Sequence, residues 1–207
     1  MSSKAHVPDS LEAVRELIGG PSRVTPLKIH DSLDEMSTAF IQHSPFLMLA
    51  TSGADGMPEV SPKGDEPGFV AVEDTTTLLM PERKGNRLIV SLQNILRNPS
   101  VAMIFLVPGT EETLRVQGRA ELTADPALCE RFTARGKPAL LAMRVTIERC
   151  YFHCAKAFTR SWLWDPEAWP PPQTVSFGRQ ARDRLGLDDE TAGQIDTAVE
   201  EDYRTNL

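Results

Sequence analysis

Apolar positions run almost unbroken from Phe46 to Thr51 (FLMLAT), and the chain then turns at SGADGMP, where Asp55-Gly56 is a strong hairpin signal. The return segment PEVSPKGD alternates, with Ser61 and Lys63 on one face and Val60 and Pro62 on the other. GFVAV and TTTLLMP follow around an acidic turn. VAMIFLV reads as a fully buried strand, and ETLRVQGRAELT and ALLAMRVTIERCYFHC as two long ones. Helical spacing marks other stretches. Ser10–Ile18 and Leu33–His43 each follow an Asp or Ser able to cap them, and Leu33, Met36, Phe40 and Ile41 recur at helical spacing. Gly19, Gly20 and Pro21 break the chain between them. A helix opening near Gly85 places Leu88, Leu92, Ile95 and Leu96 on one packed face and stops at Asn98-Pro99, and a further helix spans Pro126–Ala134. Six or seven strands, mostly joined by short turns with one helix between the fourth and fifth, predict an antiparallel barrel with helical trimmings. After Trp164 the character changes. DPEAWPPPQ is an extended proline-rich linker, and Glu190–Tyr203 a further, acidic helix. The expected division is residues 1–43 for the N-terminal helices, 44–165 for the barrel and 166–207 for linker and tail, with no internal repeat.

Composition narrows the function classes. The chain is 41% apolar and 25% charged, ordinary for a water-soluble globular protein. Its longest apolar run, Val101 to Val107, falls far short of the ~20 residues of a membrane helix. The N-terminal MSSKAHVPDS has no apolar stretch of the secretory kind, so the expectation is a cytoplasmic protein without membrane partners. Three cysteines (Cys129, Cys150, Cys154) do not make a disulfide framework. A net charge of −7 argues against a nucleic-acid partner, which needs a basic footprint. Any bound anion must be held by a local basic cluster.

Such a cluster exists. PERKGNRLIVSLQNIL, residues 81–96, sets Arg83, Lys84 and Arg87 around Gly85, with Asn86 between them. A helix N-terminus offers unpaired N–H groups and the positive end of its dipole, Gly85 lets the backbone approach closely, Asn86 can cap, and Arg83 and Arg87 can fork onto phosphate oxygens. The alternative is a solvated basic turn paired with Glu82. Ser61 and Lys63 on the hairpin's return strand could face the same anion, or line a plain strand edge.

Four motifs together, SPFLMLATSGADGMPEVSPKGD, LLMPERKGNR…NILRNP, ETLRVQGRAEL and FHCAKAFTRSWLWDP, resemble the pyridoxamine 5'-phosphate oxidase-related flavoproteins over about residues 30–170. The resemblance implies a mainly β (α+β) fold, a six-stranded antiparallel FMN-binding split barrel with peripheral helices that dimerises and holds FMN at the subunit interface. It implies that Lys63, Arg83, Asn86 and Arg87 meet the phosphate and ribityl chain, helped by Ser61 and Lys84, with Pro81 and Glu82 along the pyrimidine edge of the ring. Relatives carry a second asparagine before the arginine. Its absence here moves Arg87 by about 100° around a helix and shifts the phosphate toward Arg83 or Lys84.

The resemblance also implies that FHCAKAFTRSWLW reaches the partner subunit's flavin, with Lys156 on the substrate side and Arg160 at the N1–C2=O edge. Trp162 and Trp164 would stack near the ring or pack the interface. Thr113 and Arg115 could reach the flavin, and Arg115 could equally pair with an acidic neighbour. Pyridoxamine 5'-phosphate oxidases proper carry an Arg-x-His pair where this chain has Lys156 and no matching histidine, which points away from vitamin B6 oxidation. Cys150, His153 and Cys154 do not make a zinc site, because alternation sets His153 on the strand face opposite both cysteines. No carboxylate pair or Ser-His-Asp set assigns a catalytic residue. The reading is a homodimeric FMN oxidoreductase acting on an unidentified small molecule. The alternatives are a non-catalytic binder of FMN or haem and a reductase using F420.

Overall fold

The computed structural model of the protein describes residues 7–20 and 22–206. Residues 1–6 and Pro21, read above as a non-secretory start and part of a chain break, lie outside the described residues. Seven strands form one antiparallel sheet, one more than the resemblance implies: β1 (Phe46–Ser52), β2 (Pro58–Gly64), β3 (Ala71–Asp74), β4 (Thr77–Glu82), β5 (Ser100–Leu106), β6 (Thr113–Thr123) and β7 (Leu141–His153). Their order is β2-β1-β5-β6-β7-β4-β3, an open, split-barrel-like sheet. Alternation fixes its inner face. Leu47, Leu49, Met103, Phe105, Leu114 and Val116 are buried and join Leu78, Met80, Met143 and Val145 in the main core. β4 is buried on both faces, because Leu79 points away from that core into a smaller one with Cys129, Phe132, Ala139 and Ala142. Between β6 and β7 the register shifts at Gln117/Gly118, a bulge that lets β7 bend and pair with β4 as well.

Of the helices, those that precede β1, β5 and β7 pack on the sheet. α1 (Leu11–Ile18) is capped by Ser10 and ends at Gly19 with φ +87°. α2 (Glu35–His43) begins two residues later than the pattern predicts, because Asp34 caps it through a capping box with Ser37. Ile41 is buried, Phe40 meets Phe152 edge-on at 5.4 Å, and Met36 stays exposed. α3 (Val90–Arg97) starts well after Gly85. α4 (Pro126–Arg131) stops short of Ala134 as the chain turns through Arg135 and Gly136 at positive φ. α5 (Lys156–Ser161) follows β7, and the segment from Asp165 includes one short 3-10 turn at Pro166–Ala168. α6 (Phe177–Leu185), which the pattern did not predict, packs against the long acidic α7 (Asp189–Thr205). Their crossing is tight, since a β-carbon on Gly178 would lie 1.9 Å from the Ala192 carbonyl oxygen. Among the described residues no helix is long and apolar enough to cross a membrane.

Candidate functional site

The inner face of β2 runs from the barrel interior to its open edge. Cross-strand pairing sets Ser61 opposite Leu49 and Lys63 opposite Leu47, so both side chains lie on the core side where the sheet stops. Glu82, the last residue of β4, shares the face of Leu78 and Met80. The Lys63 ammonium donates to both Glu82 carboxylate oxygens, at 2.8 and 2.7 Å. Arg83 Nε donates to Asp65 Oδ2 at 2.8 Å. β2 and β4 are not neighbours in the sheet, so both ion pairs cross the open seam of the barrel.

The loop from Arg83 to Ile89 is not helical, which corrects the expected helix start at Gly85. Asn86 caps no helix. Its Oδ1 accepts from the Leu88 N–H at 3.0 Å in a local turn. Arg87 and Ile89 take left-handed backbone angles, φ +60° and +48°. The phase of α3 is set by polar anchors instead of leucines: Asn94 Nδ2 donates to Thr51 Oγ1 at 3.1 Å, and Asn98 Nδ2 to Ser52 Oγ at 2.9 Å. Ile95 is buried and Leu92 packs against the core, but Leu88 and Leu96, expected inside, are 66% and 75% exposed. Arg87 therefore sits on a loop, and the rotation expected for it on a helix does not arise.

The loop, β2 and the end of β4 enclose a cavity of ≈ 490 Å³. Lys63, Arg83, Lys84 and Arg87 line it together with Glu59 and Glu82. Leu88, Ile89, Val90 and Leu140 make the rest an apolar wall. An adjoining hollow of ≈ 300 Å³ adds Asp65, Phe69 and Pro81 to Ser61, Lys63 and Arg83. A third, ≈ 340 Å³, brings Arg135 and Lys137 from the turn after α4 toward Arg83 and Lys84. Lys84 Nζ donates to Asn206 Oδ1 beyond the end of α7. In the first two hollows four cations face three carboxylates (Glu59, Asp65, Glu82), an excess of one positive charge, to which the third adds Arg135 and Lys137. That local sign opposes the −7 of the whole chain.

The remaining expected residues lie elsewhere in the chain. Thr113 and Arg115 belong to the outer face of β6, opposite the buried Leu114 and Val116. Arg115 Nε is enclosed and has no hydrogen-bond partner among the described residues. Lys156 and Arg160 are exposed on α5, and Trp162 beyond it is 65% exposed. Trp164 anchors this segment: its Nε1 donates to the Thr110 carbonyl at 2.8 Å, and its ring stacks on Phe158 at 5.7 Å between centroids. None of these six lines the cavity at the seam. The Cys150 thiol donates to the Ser32 carbonyl at 3.0 Å, and burial, with Asp34 and Asp31 nearby, pushes its pKa up. Cys129 is buried, Cys154 is exposed, and among the described residues no group of three His, Cys, Asp or Glu side chains could hold a metal.

Sequence reasoning passed over Asp65, Glu59, Arg135 and Lys137. Asp65 had a signal, since PKGD sets it two residues beyond Lys63 at the strand end. Arg135 and Lys137 had none, because only the short α4 and its turn bring them to the seam.

A family model described as pyridoxamine 5'-phosphate oxidase matches residues 33–154. The match runs from just before α2 to the end of β7 and omits α1 and everything from α5 onward. Among solved structures the chain is similar to a putative pyridoxamine 5'-phosphate oxidase from Lactobacillus delbrueckii, at 26% identity over 59% of this chain and 95% of that one, TM-score 0.46. It is similar to HupZ from Group A Streptococcus at 19% identity over 58% and 93%, TM-score 0.48. It is also similar to General Stress Protein 26 from Bacillus anthracis at 19% over 56% and 88%, TM-score 0.44. No functionally curated protein matches the chain.

Proposed function

We propose, from the premise that this chain belongs to the pyridoxamine 5'-phosphate oxidase family, that the cavity at the barrel seam holds FMN and that the protein is a homodimeric flavin oxidoreductase. The observation that carries the reading is the mixed lining of that ≈ 490 Å³ cavity. Lys63, Arg83, Lys84 and Arg87 line it together with Leu88, Ile89, Val90 and Leu140, a combination that suits a molecule with an anionic head and a flat apolar ring. The size lies within the range of about 300–1,000 Å³ typical of small-ligand sites.

Arg83, Lys84, Arg87 and the backbone of their loop face the space for the phosphate, and Lys63 and Ser61 form the facing wall on β2. Pro81 and Glu82 at the end of β4 run beside the ring. A partner protomer brings α5 to the ring's open side, with Lys156 toward the substrate and Arg160 toward the electron-rich edge. Trp162 and Trp164 hold that segment, and Thr113 and Arg115 stand on the outer sheet face where the protomers meet. Bound FMN supplies hydride or electron transfer at its ring, so the protein's part is anchorage, orientation and access.

Titration with FMN, riboflavin, F420 and haem in parallel tests this. Several charge-assisted hydrogen bonds to phosphate, each worth about 1.5–3 kcal/mol, make riboflavin bind at least ~100-fold more weakly than FMN. Equal affinities for the two flavins would sink the phosphate reading, and saturation by haem or F420 alone would replace FMN. Repeated bleaching of the bound flavin by NADH or NADPH and its recovery in air separates an oxidoreductase from a flavin store.

A further inference from the structure

The turn after α4 holds two cations at the seam. Ala134 and Lys137 exchange both backbone hydrogen bonds, at 3.0 Å each, around Arg135 and Gly136. Both central residues are left-handed, φ +51° and +72°, the geometry of a type I′ turn. Glycine, asparagine or aspartate suit the first central position, and an arginine there carries a strained backbone. The turn is fastened on two sides. The Ala139 N–H donates to the Cys129 carbonyl at 3.1 Å, and the Leu140 N–H to the Glu82 carbonyl at 3.1 Å. The second bond ties the turn to the end of β4, directly before Arg83 and Lys84. The hollow of ≈ 340 Å³ between them is lined by Arg83, Lys84, Arg135 and Lys137 and by one carboxylate, Asp65, which already accepts from Arg83 Nε. Lys84 donates to the neutral Asn206, and among the described residues no second carboxylate lines the hollow to neutralise Arg135 or Lys137.

We infer that this hollow is a second anion subsite and that the cofactor site is longer than FMN requires: it takes a flavin whose phosphate carries a further phosphate, a dinucleotide of the FAD kind. The inference rests on the flavin reading above and extends it. Arg83, Lys84 and Leu140 line both this hollow and the ≈ 490 Å³ cavity, whereas Lys63 and Arg87 line the cavity and not the hollow. The two spaces therefore meet at Arg83 and Lys84, where the flavin reading puts the phosphate. A group entering the hollow from there is an extension of that phosphate. The excess of cations suits a second anion, and Ala134, Pro138 and Leu140 add an apolar wall against which a base can lie. FMN alone would leave Arg135 and Lys137 facing water.

Affinities for riboflavin, FMN and FAD and the thermal midpoint are measured for the full chain, for Arg135→Gln/Lys137→Gln and for Arg135→Gly. The full chain should bind FAD at least ~5-fold more tightly than FMN, and the advantage should shrink as salt is raised, because both turn cations are exposed. The double variant should bring FAD to within about twofold of FMN while leaving FMN affinity and the thermal midpoint unchanged. Arg135→Gly separates a ligand role from a structural one. Glycine relieves the left-handed backbone, so this variant should melt higher than wild type and yet lose part of the FAD advantage. FAD that binds no tighter than FMN, or an advantage that survives both variants, would overturn the inference and leave FMN in the cavity. Equal affinities for riboflavin and FMN would instead strike the phosphate reading, and that ratio is read independently of the one between FAD and FMN.

Discussion

A β-carbon on Gly118 would lie 2.0 Å from the Thr146 carbonyl oxygen and 2.9 Å from its carbonyl carbon. Both are backbone atoms of β7, so no rotamer change relieves the clash. The residue sits at the register shift between β6 and β7. Gly118→Ala should therefore destabilise the protein by about 2–4 kcal/mol in urea unfolding, because only a shift of the long β7 makes room. Unchanged stability would mean that the bulge is not rigid. The same scale shows what the sequence could and could not say about the site. Alternation alone put Ser61 and Lys63 on one face, and the basic run 83–87 marked the loop. It did not show that Lys63 and Arg83 would each meet a carboxylate, because the Lys63–Glu82 and Arg83–Asp65 pairs span 19 and 18 residues and form only when the barrel curls β2 toward the end of β4.

Among the elements, α2 offers a test of how far one cap matters. The Asp34 carboxylate accepts from the Ser37 hydroxyl and from its N–H at 2.7 Å, and these bonds hold its pKa below the ordinary carboxylate range. A depressed folded-state pKa means stability that is fully present above the unfolded value, near 4, and lost as the pH falls through the folded one. Asp34→Ala should cost about 1 kcal/mol at pH 7, and the gap between wild type and variant should narrow in melts below about pH 4. A gap that widens in acid would reverse the assignment. Element boundaries were legible where turn chemistry was local: Asp55-Gly56 ends β1 where it should, and Gly19 closes α1. They were not legible at α3. The run LIVSLQNIL fits a leucine-faced helix, yet the hydrogen bonds of Asn94 and Asn98 to β1 set another phase and leave Leu88 free to line the cavity. α6 was missed because FGRQARDRL is mostly polar and carries only Phe177, Ala181 and Leu185 at helical spacing, and what seats it is Gly178 against α7 and the bonds of Asp196 to Ser176 and Gly178.

At the scale of the whole molecule, the outer face of the sheet bears on the proposed dimer. The register sets Met48 between Pro62 on β2 and Ile104 on β5, and Phe46 between Gly64 and Leu106. Phe46 and Val60 are 37% and 51% exposed, and Ile104 lies opposite Arg115, whose enclosed Nε finds no acceptor among the described residues. A contiguous apolar face beside an unpaired buried donor suits a self-complementary contact, in which a second copy covers the apolar surface and offers the acceptor. The two-chain reading also gives α5 its use, since Lys156 and Arg160 do not line the cavity of their own chain. Met48→Glu places a charge at the middle of that face, where burial against a second copy would be costly, while the isolated barrel can leave it in water. The variant should elute as a monomer in light-scattering chromatography, with a thermal midpoint showing that it is folded. Its FMN affinity should fall at least ~10-fold, because on the two-chain reading the ring loses the α5 wall assigned to the partner. In the dimer, Arg160→Ala should lower the flavin's reduction potential with modest change in affinity, since a cation at the N1–C2=O edge favours the anionic reduced ring. In the Met48→Glu background that shift should vanish. A folded monomer that binds FMN as tightly as wild type, or one in which Arg160→Ala still moves the potential, would place the whole site within one chain.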